Sequence, residues 1–378
     1  MLATAFMDKL ISPSYPDFKR NRSLHISSVT LENSEKHWTN GGSASFYFLD
    51  RYVSKLKVPQ KIGIFTFSQP ANTYVNNKKI VVEIKFTNDA YWDIAEYAFL
   101  EGKPYTKQQI DRSEKVGVIS EATKKAYFGD LKSVVGKYIE ADNVSYRVIG
   151  VVKDLPKTNR QFYGDLYLPY TVTKSDYKKT ELLGGFGAVL LAKNEAELPK
   201  MKAEYYQMLS KIPTGNKDFD KLYAHPDTEL EGLSRKLVGN NNSAGLNKLF
   251  VLLGLFVLLF LLLPTINLVN INITRIMERS SEIGVRKAFG ASSRTLVYQF
   301  LIENVILTLI GGFIGVVLSA VAVYIFNQSN VVPNLDLTLN LTVLFCGLVV
   351  CLIFGLLSGV YPAWRMSRLN VVTALKSQ

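Results

Sequence analysis

The side chains that could carry out chemistry are scattered through this sequence. The three histidines are His25, His37 and His225. They lie far apart, and none has a second ligand at a spacing typical of a metal site. The segment GGSAS at residues 41–45 does not match the G-x-S-x-G turn that exposes a nucleophilic serine, and Tyr138 follows Gly136-Lys137 where a phosphate-binding loop requires Ser or Thr. We therefore expect no catalytic residue, no metal and no cofactor on this chain.

A more informative group of charged side chains lies between two very apolar stretches. The segment reads RSSEIGVRKAFGASSR and begins at Arg279. A serine at 280 or 281 can cap a helix, and Glu282 in the first turn complements the helix dipole. Gly290 is a typical helix stop. The pattern predicts a short, separately capped helix over residues 279–291.

Three apolar stretches are long enough to cross a membrane as helices, which takes about 20 residues. The predicted spans are residues 249–272, 296–326 and 341–364. Both cysteines, Cys346 and Cys351, fall in the last span, where they are typical small packing residues. The spans contain no Lys or Arg and a single acid, Glu303, which argues against an ion-driven carrier.

The Lys and Arg residues of the loops predict the orientation of the spans. Residues 275–294 contain five basic residues, residues 327–340 contain none, and the tail after residue 364 contains three. Basic loops stay in the cytoplasm, so the 279–291 helix and the C-terminus should be cytoplasmic and residues 12–247 should be extracytoplasmic. We therefore expect a multi-pass protein of the cell membrane. The net charge is +12, but the basic residues are interleaved with acidic residues and form no continuous basic stripe. We therefore expect no nucleic-acid partner.

The N-terminal residues 1–11 hold only seven mostly apolar residues before Asp8. This stretch is too short to cross a bilayer and lacks the basic start of a signal peptide. We interpret residues 1–11 as the outer end of a first span whose beginning is absent from this sequence.

Residues 12–247 read as a large α+β domain, because strand-like and helix-like segments alternate without a strict βαβ rhythm. Asp142-Asn143 predicts the turn of a β-hairpin, whereas the apolar spacing of residues 91–98 predicts a helix that Gly102 follows. The many Tyr and Phe residues are explained by core packing more readily than by an apolar ligand groove.

Small residues recur at every fourth position of the last two spans, a pattern typical of closely packed membrane helices. The predicted packing positions are Gly311, Gly315, Ser319, Gly347, Gly355 and Gly359. In the first span, Pro264 predicts a kink. Asn267 and Asn270 are expected to form interhelical hydrogen bonds, with a substrate contact as the alternative.

Two cytoplasmic motifs resemble the signatures of the MacB/FtsX-type ABC transporter permeases. They are RSSEIGVRKAFGAS after the first span and GVYPAWRMSRLNVVTALK at the end of the last. The segments VGVISEATKKAYFG, YRVIGVVKDLP and DLYLPYT are similar to the extracytoplasmic core domain of that family. The resemblance covers nearly the whole chain, although the family has four spans where this chain has three and a remnant.

The resemblance implies a membrane protein with an α-helical transmembrane part and a large α+β extracytoplasmic domain. In the family, the core domain has a porter-like part, which corresponds to residues 12–112 and 183–247, and a smaller inserted part near residues 113–182. Residues 248–378 correspond to the FtsX-like transmembrane domain.

The resemblance further implies that the 279–291 helix docks on a separate ABC ATPase subunit, which would carry ATP and Mg. The corresponding contact residues are Glu282, Ile283, Gly284, Val285, Arg286, Lys287, Phe289 and Gly290. The three charged residues would supply polar contacts, and Ile283, Val285 and Phe289 apolar ones. An interfacial helix held by lipid headgroups is the alternative interpretation.

In such a permease, ATP hydrolysis in the partner moves the outer domain, which exports or extracts an antimicrobial, a peptide or a lipoprotein. The implied partners also include a second permease copy, identical or related, membrane lipid and, in some members, a periplasmic adaptor. One alternative is a cell-division-type regulator of cell-wall hydrolases, whose outer domain is usually much smaller than residues 12–247. A membrane-anchored sensor without an ATPase is another, but it would not require the glycine-bounded helix.

Overall fold

A computed structural model describes residues 5, 8–9, 12–75, 78–278, 280–329 and 331–367. The chain divides into two compact units. The sheet unit comprises mainly residues 9–246, and the helical unit comprises mainly residues 247–329 and 336–367.

The described part of the sheet unit is organised around a mixed β-sheet of fourteen strands. The strands are β1 Ser23–Ile26, β2 Val29–Asn33, β3 Trp38–Ala44, β4 Lys61–Thr66, β5 Gln69–Val75, β6 Lys78–Thr87, β7 Phe99–Gly102, β8 Val116–Ser120, β9 Tyr138–Ala141, β10 Val144–Val152, β11 Leu166–Pro169, β12 Leu183–Gly184, β13 Phe186–Leu191 and β14 Lys221–Ala224. The main order is β14-β2-β3-β13-β4-β6-β11-β8-β10-β7, with β1 beside β13, β12 beside β3, β5 beside β6 and β9 beside β10.

Strand direction and burial follow from the position of each strand in the sheet. β8 runs parallel to β10 and β6 runs parallel to β11, and the other described pairs are antiparallel. β13 is buried at every position, as expected for a central strand covered on both faces. Three clusters of buried apolar side chains pack on the sheet, centred on Phe48 and Tyr205, on Phe65 and Tyr167, and on Ile119 and Leu168.

The described helices of the sheet unit are short, and side-chain caps define where they begin. They are α1 Phe46–Arg51, α2 Ala90–Ile94, α3 Lys107–Asp111, α4 Glu121–Phe128, α5 Leu198–Leu209 and α6 Glu229–Leu237. Ser45 caps α1 by accepting a hydrogen bond from the Phe48 N–H, and Thr228 and Glu231 form a reciprocal capping box at α6. Gly129 ends α4 with a φ of 66°, a conformation that suits glycine.

The predicted hairpin is confirmed, whereas the predicted helix over residues 91–98 is wrong in its second half. β9 and β10 pair across Asp142 and Asn143, whose φ angles are 47° and 62°. The helix stops at Ile94, because the buried Tyr97 side chain enters the core and the chain then forms β7, which pairs with β10. Tertiary pairing therefore overrides the helical spacing.

Among its described residues, the helical unit contains three helices that are long and apolar enough to cross a membrane. The helices described in this unit are α7 Leu246–Glu278, α8 Ser280–Ala288, α9 Ser293–Ser329 and α10 Leu341–Ser367. The three predicted spans fall within α7, α9 and α10, and Pro264 lies inside α7. Of the predicted remnant at residues 1–11, Ala5, Asp8 and Lys9 are helical, and the other positions lie outside the described residues.

Candidate functional site

The predicted short helix between the first two spans is present as α8. It begins at Ser280, and Gly290 follows its end with a φ of 91°. The backbone N–H of Ala291 donates to the Arg286 carbonyl at 3.0 Å, which closes the last turn. The Ser292 hydroxyl then accepts a hydrogen bond from the Thr295 N–H at 3.2 Å and caps α9. α8 is therefore a separate element with its own start and stop.

The charged side chains of α8 form one exposed pair. Arg286 donates to Glu282 Oε1 at 2.6 Å and to Gln299 Oε1 on α9 at 3.2 Å. The spacing of four residues places both members of the ion pair on one helix face. Both side chains remain about half exposed, so a partner molecule can reach them. The side chain of Lys287 lies outside those described.

Exposed apolar side chains lie beside this charged pair. Phe289 is 89% exposed and Val285 is 46% exposed, whereas Gly284 is buried. An exposed phenylalanine at the end of a charged helix is unfavourable in water unless another molecule covers it. The side chain of Ile283 lies outside those described. α8 therefore presents a mixed surface of Val285, Phe289, Glu282 and Arg286.

A buried polar cluster joins the three long helices of the helical unit. Asn272 of α7 donates to Asn304 Oδ1 of α9 and to the Ser358 carbonyl of α10, both at 3.4 Å. All three side chains are at least nine-tenths buried. Arg275 and Glu303 form an ion pair of 3.3 Å next to this cluster in sequence. The last turns of α7, which lead into α8, are thus bonded to both other spans.

The amides predicted to join the helices, Asn267 and Asn270, lie on an exposed face of α7 instead. Among the described contacts Asn270 uses its backbone carbonyl, which accepts a hydrogen bond from the Thr274 hydroxyl at 3.1 Å. Among the described residues, Asn272 rather than Asn267 or Asn270 makes the interhelical hydrogen bond. Only the helix rotation, which the sequence does not specify, distinguishes the three asparagines.

The predicted packing glycines have different surroundings. A Cβ atom added at Gly355 would lie 2.5 Å from Thr308 Oγ1, and one at Gly359 would lie 2.4 Å from Asn304 Nδ2. A Cβ atom added at Gly311 or Gly315 would meet no described atom within 4 Å. Ser319 donates to the Gly315 carbonyl at 2.6 Å within α9, and Gly347 is half-buried. Gly355 and Gly359 thus permit close packing of α9 against α10, whereas the Gly311 and Gly315 face is open.

In the sheet unit, the described histidines, cysteines and carboxylates form no group of three that could hold a metal ion. His25 is buried, and its Nε2 lies 4.0 Å from the Glu229 carboxylate. His225 Nδ1 lies 3.2 Å from the Tyr206 hydroxyl, and burial lowers the pKa of this histidine. His25 therefore lies beside α6, and His225 lies beside α5.

Two ion pairs hold α6 in the sheet unit. Arg235 donates to both oxygens of Asp227, at 2.7 and 2.9 Å, and Lys202 of α5 donates to Glu231 at 2.5 Å. Burial raises the pKa of the Glu231 carboxyl, but hydrogen bonds from Lys202 and from the Thr228 N–H outweigh it and hold the pKa below its usual range. The Lys202–Glu231 pair therefore joins α6 to α5, and the Arg235–Asp227 pair joins the last turn of α6 to the residues just before its start.

Comparison with known families identifies both units. Residues 4–204 match the family described as MacB-like periplasmic core domain, and residues 254–371 match the family described as FtsX-like permease C-terminal. This chain belongs to the MacB/FtsX-type ABC transporter permeases. The permease is thus a membrane-spanning protein with a periplasmic-type α+β domain, and the residues of α8 lie within its FtsX-like part.

The relatives of the permease include exporters and other permeases. It is 26% identical over 306 residues to the macrolide export ATP-binding/permease protein MacB 1 of Yersinia pestis bv. Antiqua (strain Antiqua), an alignment that covers 79% of this chain and 44% of the relative. It is 25% identical over 335 residues to the uncharacterized ABC transporter permease YvrN of Bacillus subtilis (strain 168), which covers 83% of this chain and 75% of the relative. The permease spans less than half of the length of its MacB relatives.

A solved structure is also similar to the sheet unit. The periplasmic region of MacB from Actinobacillus actinomycetemcomitans is 19% identical, with a TM-score of 0.38, and the match covers 57% of this chain and 94% of the other.

Proposed function

We propose that this permease is a transport subunit without an ATPase site of its own, which couples ATP hydrolysis in a separate nucleotide-binding subunit to movement of its outer domain. The observation that carries the proposal is the separate helix α8, whose Phe289 side chain is 89% exposed beside the Glu282–Arg286 pair. A helix with its own cap and stop, between two spans, presents an apolar and charged surface that fits a protein partner.

The docking contacts follow from the side chains that α8 presents. Glu282 and Arg286 supply opposite charges, and Val285 and Phe289 supply apolar surface. We assign Ile283, Lys287 and Gly290 to the same contact because they belong to the same short helix and its stop. We propose Gly284 as part of this contact too, although it is buried in the isolated chain. ATP and Mg would bind to the partner subunit.

The side of the membrane follows from charge. The loop at 275–294 and the C-terminal tail carry the basic residues, which favours a cytoplasmic location for α8 and the C-terminus. The sheet unit would then lie outside the cytoplasm, where movement relayed from α8 by the spans would push or release a substrate. Lipid surrounds the three spans, whose apolar side chains are largely exposed.

The relatives named as exporters favour export of a substrate such as an antimicrobial or a peptide, with extraction of a lipoprotein as the second form of the same activity. We further propose two permease copies per complex, because the open face at Gly311 and Gly315 is suited to close helix packing with a second copy. A periplasmic adaptor would bind the sheet unit in the corresponding assembly.

Copurification of an ATP-hydrolysing subunit tests the docking proposal. The permease is solubilised from its native membrane and isolated, and bound ATPase activity is measured. Wild-type permease should retain the ATPase, whereas Phe289→Ala should retain about tenfold less, because truncating an apolar anchor typically costs about 1 to 3 kcal/mol of binding free energy. Phe260→Ala, which removes a ring of α7 that is 70% exposed, is the matched control and should retain the ATPase fully.

A charge exchange separates docking from helix stability. The double variant Glu282→Arg with Arg286→Glu keeps an ion pair within α8 but reverses the charges presented to a partner. Loss of the ATPase in this variant supports docking through α8. Retention by both Phe289→Ala and the exchanged variant, or absence of an ATPase from the wild-type preparation, would refute the proposal.

A further inference from the structure

The sheet unit contains a cleft of about 290 Å³ that the proposed transport mechanism does not use. It lies where α1 begins, at the ends of β4 and β6, and the segment between residues 173 and 186 forms its outer wall. All of its lining residues belong to the sheet unit. The volume suits a small molecule rather than a peptide chain or the surface of another protein.

Aromatic rings form the apolar wall of this cleft. Phe46 stacks on Tyr170 at a centroid distance of 4.3 Å and meets Tyr177 and Phe186 edge-on at 5.3 and 5.5 Å. Phe46, Tyr177 and Phe186 line the cleft together with Phe86. Aromatic faces carry negative electrostatic potential, and they attract cations as well as apolar groups. The ammonium of Lys178 already lies 6.0 Å from the Tyr177 ring centroid.

The rim of the cleft carries charged groups that have no ion-pair partner among the described residues. Asp176, Glu181 and Lys179 line it, and the Lys178 ammonium lies beside the Tyr177 ring without being part of the lining. Glu181 and Lys179 use their side chains in no described hydrogen bond or ion pair, and Asp176 accepts only a weak one from the Lys178 N–H at 3.3 Å. These carboxylates are therefore available to a ligand.

The nearest buried cation does not cancel this preference. Lys85 Nζ donates to the Thr66 carbonyl, but it lies over the Phe65 ring. Successive residues of a strand point to opposite faces, and Thr66 and Phe86 line the cleft. The Lys85 ammonium is thus on the face of the sheet opposite to the cleft.

We propose that this cleft binds a small organic cation, with a quaternary or protonated amine beside Asp176 and Glu181 and an apolar body against Phe46, Tyr177 and Phe186. The site does not depend on the proposed coupling to an ATPase. It can be tested on the permease alone, so its failure and that of the coupling proposal are distinguishable.

The wall contains two adjacent glycines, Gly184 and Gly185, and a larger side chain at Gly185 can close the cleft. A Cβ atom at Gly184 would lie 2.7 Å from the Ser45 Cα, so this position requires glycine. A Cβ atom at Gly185 would meet no described atom within 4 Å, and Gly185 lines the cleft. Gly185→Leu should therefore fill the cleft without disturbing the fold, and Gly185→Ala should leave it open.

The experiment measures binding of benzyltrimethylammonium to the full chain in dodecyl maltoside micelles by equilibrium dialysis at low salt. Choline should displace this probe, whereas its neutral isostere 3,3-dimethylbutan-1-ol should be at least about tenfold weaker, because cation–π and carboxylate attraction require the charge. The probe should bind to Gly185→Ala and not to Gly185→Leu.

The sign of the charge preference is tested at the rim. The double variant Asp176→Asn with Glu181→Gln should weaken probe binding about tenfold, and Lys179→Gln should strengthen it several-fold, because unlike and like charges within a few ångströms act in opposite directions. Equal displacement by the neutral isostere, unchanged binding to Gly185→Leu, the opposite order of the rim variants, or no saturable binding up to about 10 mM probe would each overturn the proposal.

Discussion

Lys85 is a fully buried amine of the sheet unit, and its surroundings change its ionisation. It is fully buried on β6, and its ammonium donates to the carbonyls of Thr66 and Arg160 at 2.9 and 3.4 Å. It also lies 5.0 Å from the Phe65 ring centroid. Burial lowers the pKa of Lys85 from 10.5 to about 7, and the negative charge of Glu83 only partly opposes this.

This environment predicts a pH-dependent stability. Between pH 7 and 10.5 the unfolded chain holds a proton at Lys85 that the folded chain has released, so the free energy of unfolding should rise with pH across this window. Below pH 7 both states are protonated, and the folded chain retains the full cost of burying the charge. Lys85→Met should therefore raise the stability at pH 6 by about 2 kcal/mol and flatten the rise above pH 7.

Thermal unfolding of the full chain, followed by tryptophan fluorescence at pH 6 and pH 9, measures this effect. Lys79→Met is the matched control, because Lys79 is exposed on the same strand. Lys79→Met should leave the difference between the melting temperatures at pH 6 and pH 9 the same as in the wild-type chain. A lower melting temperature of Lys85→Met at pH 6 would contradict the prediction and would mean that the two carbonyl hydrogen bonds outweigh the burial of the charge.

At the scale of the elements, the packing of α9 against α10 depends on two glycines. Gly355 and Gly359 are the positions where Thr308 and Asn304 of α9 approach the backbone of α10. Gly359→Ala should push Asn304 away from its bond with Asn272, and overpacking of this kind costs about 1 to 3 kcal/mol. The melting temperature in detergent should fall by about 5 °C.

Gly315→Ala on α9 is the matched substitution, because the added methyl group meets no described atom. It should leave the melting temperature of the isolated chain within about 1 °C, since changes outside packed sites are nearly neutral. If Gly359→Ala and Gly315→Ala lower the melting temperature equally, intrinsic helix propensity rather than packing determines the effect.

Some elements could be predicted from the sequence, and others could not. Long apolar runs and the serine and glycine signals of α8 are local, and they predicted the three spans and the short helix. The end of α2 at Ile94 and the choice of Asn272 over Asn267 were not predictable, because each depends on pairing with a distant segment. The burial of Lys85 was hidden for the same reason, since its strand alternates like any half-buried one.

At the scale of the whole molecule, the long apolar runs of the sequence coincide with one of the two units. The long apolar helices fall in the helical unit, and residues 9–246 form the sheet unit. The cleft beside Phe46 could not have been predicted, because its lining comes from segments as far apart as Ser45 and Phe186. The orientation in the membrane that we propose, in contrast, is argued from the basic residues of the loops alone, and it yields a testable prediction.

Residues on the two sides of the membrane should differ in their reaction with a membrane-impermeant maleimide. In a chain with Cys346 and Cys351 replaced by Ser, single cysteines are introduced by Asp130→Cys, Val331→Cys and Ala288→Cys, all at exposed positions. Because the basic residues at 275–294 should stay in the cytoplasm, Asp130→Cys and Val331→Cys should react in spheroplasts, whose cell membrane is intact. Ala288→Cys should react only after permeabilisation, and its labelling in intact spheroplasts would place α8 outside and exclude its docking on a cytoplasmic ATPase.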